Sequence, residues 1–292
     1  MSITKKIIFS LILVIFLCVI GAGVYFIKKF YLTDDGKTML YKSELGSSLN
    51  LQGKEAIKIV KGKFNEDEAE DYIALLGEPK YDDVDSSTIN ELKKFTSNIE
   101  LYNNVAIDII DGNTKESKRY ETKKSYGKDV DLEYKVDNNG KYTFIKDNTT
   151  GNVALLKFEN GNIKNIITDS FGNDFNGYTI EASFNKEDTT KLNVSLDNYG
   201  RDYLSEKTDA YTLDYKDTIV NSENYRLTYM ANKFFDFDFT DLDGDGVNEL
   251  VGIQNILYAN KPEFQKNVGT VKSIFKFDEN GKLKLNDVVV EK

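Results

Sequence analysis

The sequence predicts a mostly β fold: antiparallel hairpins in a propeller-like or sandwich body, with one or two minor helices and an N-terminal transmembrane helix. Three observations predict it. Short runs rich in Tyr, Phe, Val and Ile recur along the chain, and Asn-Gly or Asp-Gly pairs punctuate them. The only two prolines, Pro79 and Pro262, fall outside those runs, as strand interiors require. A long uncharged apolar run stands near the start of the chain.

The first element is that run. Residues 1–6 form a short tail, and Ile7 to Ile27 read IIFSLILVIFLCVIGAGVYFI, without a charge and flanked by Lys5-Lys6 and Lys28-Lys29. At about 1.5 Å per residue a helix of that length reaches about 30 Å, the thickness of a bilayer core. A cleaved signal peptide is the competing reading, with small residues at Gly21-Ala22. Against it, the run continues apolar through Val24, Tyr25, Phe26 and Ile27. Lipidation at Cys18 is a third reading, opposed by the large Phe16 and Leu17 before it. The expectation is therefore a single-pass anchor over 7–27. Lysines on both flanks leave the positive-inside rule uninformative, and the bulk of the chain is placed outside the cell by its size and its exported character.

Residues 28–54 read as a polar, turn-rich stalk or peripheral segment, with Thr33-Asp34-Asp35-Gly36 and Gly46-Ser47-Ser48. Residues 55–292 read as one β-rich domain. Its expected strands are Ala56–Val60, Tyr72–Leu76, Val105–Ile109, Val130–Val136, Tyr142–Ile145, Val153–Phe158, Tyr178–Phe184 and Lys191–Leu196. Tyr211–Tyr215, Phe234–Phe239, Leu250–Gln254 and Ser273–Phe277 follow. Turns are expected at Asp111-Gly112, Asn139-Gly140, Asn160-Gly161, Asn176-Gly177 and Asn280-Gly281. A helix is expected over Thr88–Ile99, where Thr88 and Glu91 make a capping box and Ile89, Leu92, Phe95 and Ile99 share a face. A weaker helical signal covers Gly200–Ser205.

Composition limits the chemistry. Hydrophobic residues make up 40% of the chain, enough to build a core and to exclude global disorder. There is no histidine, which removes the Ser-His-Asp triad, the Cys-His dyad and His-ligated zinc. Cys18 is the only cysteine and lies in the apolar run, so the rest of the chain has no thiol nucleophile and no disulfide. The net charge is −10, and because residues 1–29 carry four lysines and no acid, the remainder carries −14. Such a body repels nucleic acid and suits a cationic partner, of which a divalent metal is the simplest.

The sharpest local signal is FDFTDLDGDGVNELV. Counted from Asp241, carboxylates stand at loop positions one, three, five and nine: Asp241, Asp243, Asp245 and Glu249. Gly244 and Gly246 permit the tight turns that bring such groups together. Calcium takes six to eight oxygens, and this loop offers four carboxylates and the Val247 carbonyl. The alternative is an acidic turn without metal. An EF-hand does not fit, because its twelfth position needs a bidentate Glu and here holds Gly252, and because the flanks read as strands. The same frame recurs weakly at 63–71, where Lys63 takes the first position and Asp71 the ninth, and at 133–141, where Lys135 and Lys141 take the third and ninth. In both, a lysine stands where an ion's charge would.

The loop and its weaker copies resemble the FG-GAP/VCBS repeat, the calcium-bearing hairpin of integrin-like propellers. The stretches GKFNEDEAEDYIALLGE, NNVAIDIIDGNTKE, LNVSLDNYGRDYLSE and FDFTDLDGDGVNELVGIQ are similar to VCBS-repeat-containing proteins of Gram-positive bacteria, over roughly Glu55 to Val290. The resemblance implies an exported, calcium-stabilised β fold whose ligands are Asp241, Asp243, Asp245, Glu249 and the Val247 carbonyl. It implies no enzymatic activity, and the lysines at 63, 135 and 141 put metal at the other two loops in doubt. The functional expectation is a membrane-anchored, extracellular structural or binding module with Ca2+ and an unidentified protein or glycan partner. Tyrosines such as Tyr199, Tyr203, Tyr211 and Tyr215 serve either a contact surface or ordinary strand packing. The alternatives are a sensor ectodomain acting through a membrane partner and a carboxylate-dependent hydrolase. The hydrolase lacks both a distinguished acid pair and any Trp platform.

Overall fold

The computed structural model describes residues 33–64, 69–80, 101–159, 162–184, 188, 190–205, 211–214, 233–261 and 264–292, with backbone alone at 184, 257–261 and 264–266. Residues 7–27 and the expected helix at 88–99 lie outside the described residues. Among the described residues no helix is long and apolar enough to cross a membrane. The chain divides into two compact units, Met1–Lys128 and Asp129–Lys292, where the sequence reading takes 55–292 as one body.

The described residues of the first unit open with a helix, α1 (Asp34–Leu45), and a 3-10 turn at Gly46–Ser48, within the segment read as a stalk or peripheral element. The residues read as a turn are its punctuation. The Thr33 hydroxyl accepts the Gly36 N–H at 3.2 Å as N-cap, Asp34 and Asp35 face the positive helix start, and the Gly46 N–H donates to the Lys42 carbonyl. Turn and cap draw on the same residue types, so local composition alone does not separate them. Periodicity failed as well, because α1 buries only Gly36, Thr38 and Leu45.

Among the described residues, the strands of this unit are β1 (Glu55–Gly62), β2 (Asp71–Pro79), β3 (Leu101–Ile110), β4 (Ser117–Glu121) and β5 (Tyr126–Gly127). They form one antiparallel sheet in the order β1-β2-β3-β4, with β5 also on β3. The central strand β2 is buried from Asp71 through Gly77, so it reads as a near-continuous apolar run. Helix α1 covers the edge strand β1, where the Thr38 hydroxyl accepts the Ile59 N–H at 3.2 Å. Leu45, Leu49, Ile59, Tyr72, Ala74, Leu76 and Ile110 form the core beneath it. Asp108 on β3 is fully buried and meets Arg119 of β4 through two hydrogen bonds, at 2.6 and 2.8 Å. Removing one partner of such a buried pair costs about 3–5 kcal/mol.

The described residues of the second unit form three antiparallel sheets. The first contains β6 (Val130–Asp137), β7 (Gly140–Asp147), β8 (Val153–Glu159) and β9 (Asn162–Asn165) in sequential order. A short helix, α2 (Ile166–Phe171), leads on to the second, made of β10 (Thr179–Phe184), β11 (Lys191–Asp197) and β12 (Tyr211–Asp214). The third contains β13 (Asp236–Thr240), β14 (Glu249–Lys261), β15 (Phe264–Phe277) and β16 (Leu283–Glu291). Each is a meander, so every neighbour in space is a neighbour in sequence. Tyr142, Leu155, Leu192, Leu250 and Phe275 draw all three sheets into one apolar core. Fully burying a side chain of this size contributes about 1.5–3 kcal/mol. Phe171, Phe175, Phe234, Phe237 and Phe275 pack ring on ring, with centroids 4.6–6.3 Å apart.

All twelve expected strands overlap observed ones, with β10 starting one residue later than expected, at Thr179, β13 two residues later, at Asp236, and the segment expected to reach 215 described as far as 214. Of the strands not expected, β4, β9 and β16 bury at most one residue each, and β5 has only two residues, so none carries a pattern to read. The helical signal at 200–205 is instead two turns, in which the Arg201 N–H donates to the Asn198 carbonyl and the Leu204 N–H to the Arg201 carbonyl, each at 3.0 Å. Tyr199 and Gly200, both at positive φ, end any helical path there.

Candidate metal centre

The acidic loop joins β13 to β14. Thr240 pairs with Glu249, so residues 241–248 form the tip of a hairpin and the flanks are strands, as the sequence indicates. Gly252, at the twelfth position, lies in β14, where an added Cβ would meet the Phe234 ring at 2.3 Å. An EF-hand glutamate has no room there.

The loop folds around its own carboxylates. Asp241 Oδ1 accepts the Gly244 N–H at 2.7 Å, and Oδ2 accepts the Gly246 N–H at 2.9 Å. Asp243 Oδ1 accepts the Asp245 N–H at 3.3 Å, and Asp245 Oδ1 accepts the Val247 N–H at 2.8 Å. Glu249 Oε2 accepts the Leu242 N–H at 2.7 Å. Gly244 and Gly246 take φ of 78° and 85°, the left-handed conformation that turns these N–H groups inward.

Three of the four carboxylates converge: Asp241, Asp243 and Glu249 each offer an oxygen, all within 4.8 Å of one another. Asp245 is not in that group, and its carboxylate turns onto the Val247 N–H. Val247 is half-buried at the seventh position, next to the docked Asn248. Asp241, Asp243 and Asp245 are exposed, whereas Glu249 is 1% exposed at the root of the loop. Its Oε1 is buried and makes no hydrogen bond.

Lys276 supplies what charge balance the cluster has. Its Nζ lies 2.5 Å from Asp243 Oδ2 and 3.2 Å from Glu249 Oε1, the latter contact being an ion pair without hydrogen-bond alignment. Sheet register places it there, one step beyond the Leu250–Phe275 pair of β14 and β15. The ammonium holds the Asp243 carboxyl below its ordinary range, and the two carboxylates push the Lys276 ammonium above its own. No local motif points to Lys276. Only the β14–β15 register finds it.

A second support comes from the first sheet of the same unit. The 133–141 segment is not a degenerate ion loop: Glu133 and Lys135 lie within β6, Lys141 lies within β7, and the turn is Asn138-Asn139. Its role is to clamp the acidic loop. Asn138 donates its backbone N–H to the Gly246 carbonyl at 3.0 Å and its Nδ2 to the Asp245 carbonyl at 3.3 Å. Asp137 Oδ2 accepts both the N–H and the Nδ2–H of Asn248, at 3.0 and 3.1 Å. Gly246 admits this approach, since an added Cβ would stand 2.3 Å from Asn138 Nδ2.

The other copy, at 63–71, forms the β1–β2 hairpin, with 65–68 outside the described residues. Lys63 and Asp71 stand at its ends. Asp71 is fully buried, accepting the Phe64 N–H at 3.1 Å and the Gly112 N–H at 2.9 Å.

Asp241, Asp243 and Glu249 thus form an acidic cluster of hard oxygens that could hold a metal ion. Of the tyrosines read as either packing or contact residues, Tyr203 packs. Its ring lies on Phe171 and Phe175, and its hydroxyl joins the Asn176 backbone at 2.9 Å. Tyr199 is 76% exposed. No family model, curated protein or solved structure matches the chain.

Proposed function

We propose that this chain is a membrane-tethered, exported β protein of the FG-GAP/VCBS hairpin type, whose β13–β14 loop takes calcium and whose body serves as a structural or binding module. The single observation that carries the metal reading is Glu249. Its buried Oε1 makes no hydrogen bond and lies within reach of two further carboxylates, so three acidic groups share the Lys276 ammonium and keep a demand for more positive charge. Asp241, Asp243 and Glu249 would hold the ion, and Asp245 and the Val247 carbonyl would complete a set of six to eight oxygens with water.

The remaining parts of the reading rest on the sequence and the sheets. The uncharged run 7–27 is long enough to anchor the chain, and millimolar calcium outside a cell fills a modest-affinity loop. Separate three- to five-stranded antiparallel sheets, joined in sequence, are the blade-like units from which hairpin-repeat bodies are built. With no histidine and with Cys18 confined to the apolar run, imidazole and thiol chemistry are not on offer to the β body, whereas oxygen ligation is.

The test is thermal unfolding of the full chain in detergent, with calcium and then with a chelator, beside Asp243→Asn. At a hundredfold excess over Kd, calcium binding adds about 2.7 kcal/mol, which appears as a midpoint rise of several degrees. Asp243→Asn is expected to reduce that rise. A wild-type midpoint indifferent to calcium would leave the loop an acidic turn.

A further inference from the structure

We infer that Lys276 is the resident counter-cation of the β13–β14 loop and sets how much calcium the loop requires, because the ammonium and the ion compete for the same two carboxylates. The inference rests on the calcium reading above and adds the residue that tunes it.

Position is the first argument. Lys276 Nζ stands 2.5 Å from Asp243 Oδ2 and 3.2 Å from Glu249 Oε1. Calcium takes its oxygens at about 2.3–2.6 Å, so an ion held by these same atoms fills the volume the ammonium holds now. Two cations cannot share it, since both are drawn there by the same negative charge and repel at contact.

Mobility is the second argument. Glu249 is 1% exposed and is fixed by the Leu242 N–H, so it stays when the cation changes. The Lys276 side chain is 33% exposed and is a flexible four-carbon stem, free to carry its charge into water once displaced. Chemistry is the third. An ammonium is a point donor of hydrogen bonds, and its contact with Glu249 Oε1 is not aligned for one. It offsets the charge of that oxygen without meeting its demand for a partner. A divalent ion bound directly to the oxygen does both.

Without metal, the charge of the loop is therefore expected to be balanced by Lys276, and calcium must displace that cation to bind. The experiment is calorimetric titration of the full chain with calcium, for wild type and Lys276→Met, which removes the charge and keeps an unbranched side chain. About tenfold tighter calcium binding is expected in Lys276→Met. Without metal that variant is expected to unfold at a lower temperature than wild type, with the gap closing when calcium saturates both. In wild type, labelling of Lys276 by an amine-reactive reagent, read by mass spectrometry, is expected to rise several-fold on adding calcium and not magnesium. That reading also decides the matter should Lys276→Met fail to fold. Equal or weaker calcium binding in a folded Lys276→Met, or labelling of Lys276 unchanged by bound calcium, would overturn the inference and leave the calcium site standing. Absence of calcium binding in both proteins would overturn the calcium reading and the inference together.

Discussion

The hairpins β1–β2 and β13–β14 start from the same frame and end as different objects. In each, the ninth loop position opens the second strand with a buried carboxylate, Asp71 in one and Glu249 in the other. In each, one oxygen of that carboxylate accepts the N–H of the second loop position: Phe64 at 3.1 Å and Leu242 at 2.7 Å. The second oxygen separates them. Asp71 Oδ1 accepts the Gly112 N–H from the β3–β4 turn, so the backbone satisfies the carboxylate on both sides. Glu249 Oε1 has no such donor and faces Lys276 and the Asp241–Asp243 pair. A carboxylate closed by two backbone donors is a structural pin, whereas one closed on a single side keeps a demand for a cation. The difference lies in what a neighbouring strand brings to one oxygen, and not in the loop's own spacing.

The largest expected effect breaks the pin. Asp71→Ala leaves the Phe64 and Gly112 N–H groups without their acceptor, and each charged hydrogen bond contributes about 1.5–3 kcal/mol. A loss of about 3 kcal/mol is expected, with the same midpoint drop in chelator as in calcium. A calcium-dependent drop would mean that the first loop also holds metal.

Next comes Glu249→Gln, which keeps an oxygen for the Leu242 N–H and removes the charge. It is expected to abolish the calcium-induced stabilisation of about 2.7 kcal/mol at a hundredfold excess over Kd, while changing the chelated protein far less. If calcium still raised the midpoint of this variant in full, Glu249 would not be a ligand.

Gly246→Ala tests the clamp that holds the open loop against the β6–β7 turn. Its φ of 85° costs a side chain about 1–2 kcal/mol, and the new Cβ would collide with Asn138 Nδ2. The variant is expected to lower the midpoint and to weaken calcium binding. In the first unit, Gly112→Ala meets a harder obstacle, because its Cβ would fall 1.8 Å from the Glu70 carbonyl. It is expected to destabilise without any calcium phenotype, and calcium rescue of its stability would contradict the separation drawn between the hairpins.

The smallest effect measures what an exposed charge is worth beside these buried ones. Lys58 of β1 bonds Asp34 of α1 at 2.8 Å and holds that carboxyl below its ordinary range. A lowered folded value means the contribution is present above the unfolded value, about 3.9, and is lost as pH falls through the folded one. Asp34→Asn is expected to cost about 0.5 kcal/mol at neutral pH and much less at pH 2, by chemical denaturation at both. A loss persisting undiminished at pH 2 would assign the effect to helix structure and not to charge.

The sequence showed strands whose apolar residues alternate or run together, at sheet edges such as β1 and β13 as well as inside, such as β2 and β14. It did not show β4, β9 and β16, which bury at most one residue each, nor α1, whose caps were complete and whose buried face was not. At the candidate site it brought forward all the acidic residues, since a loop carries its own spacing. It misjudged 133–141, where residues counted as loop positions are paired strand residues and the two that matter, Asp137 and Asn138, serve the neighbouring loop.

What the sequence determined by itself is local: the hairpin chemistry, the acidic frame at 241–249, and the absence of histidine and thiol chemistry outside the apolar run. Composition and short-range spacing decide these. Tertiary structure alone decided which carboxylate is closed and which is left facing a cation, because that depends on partners far along the chain. Gly112 reaches Asp71 across 41 residues and Asn248 reaches Asp137 across 111, while register sets Lys276 beside Glu249. A buried oxygen is satisfied only by the group that packing delivers to it, and packing is a property of the whole sheet.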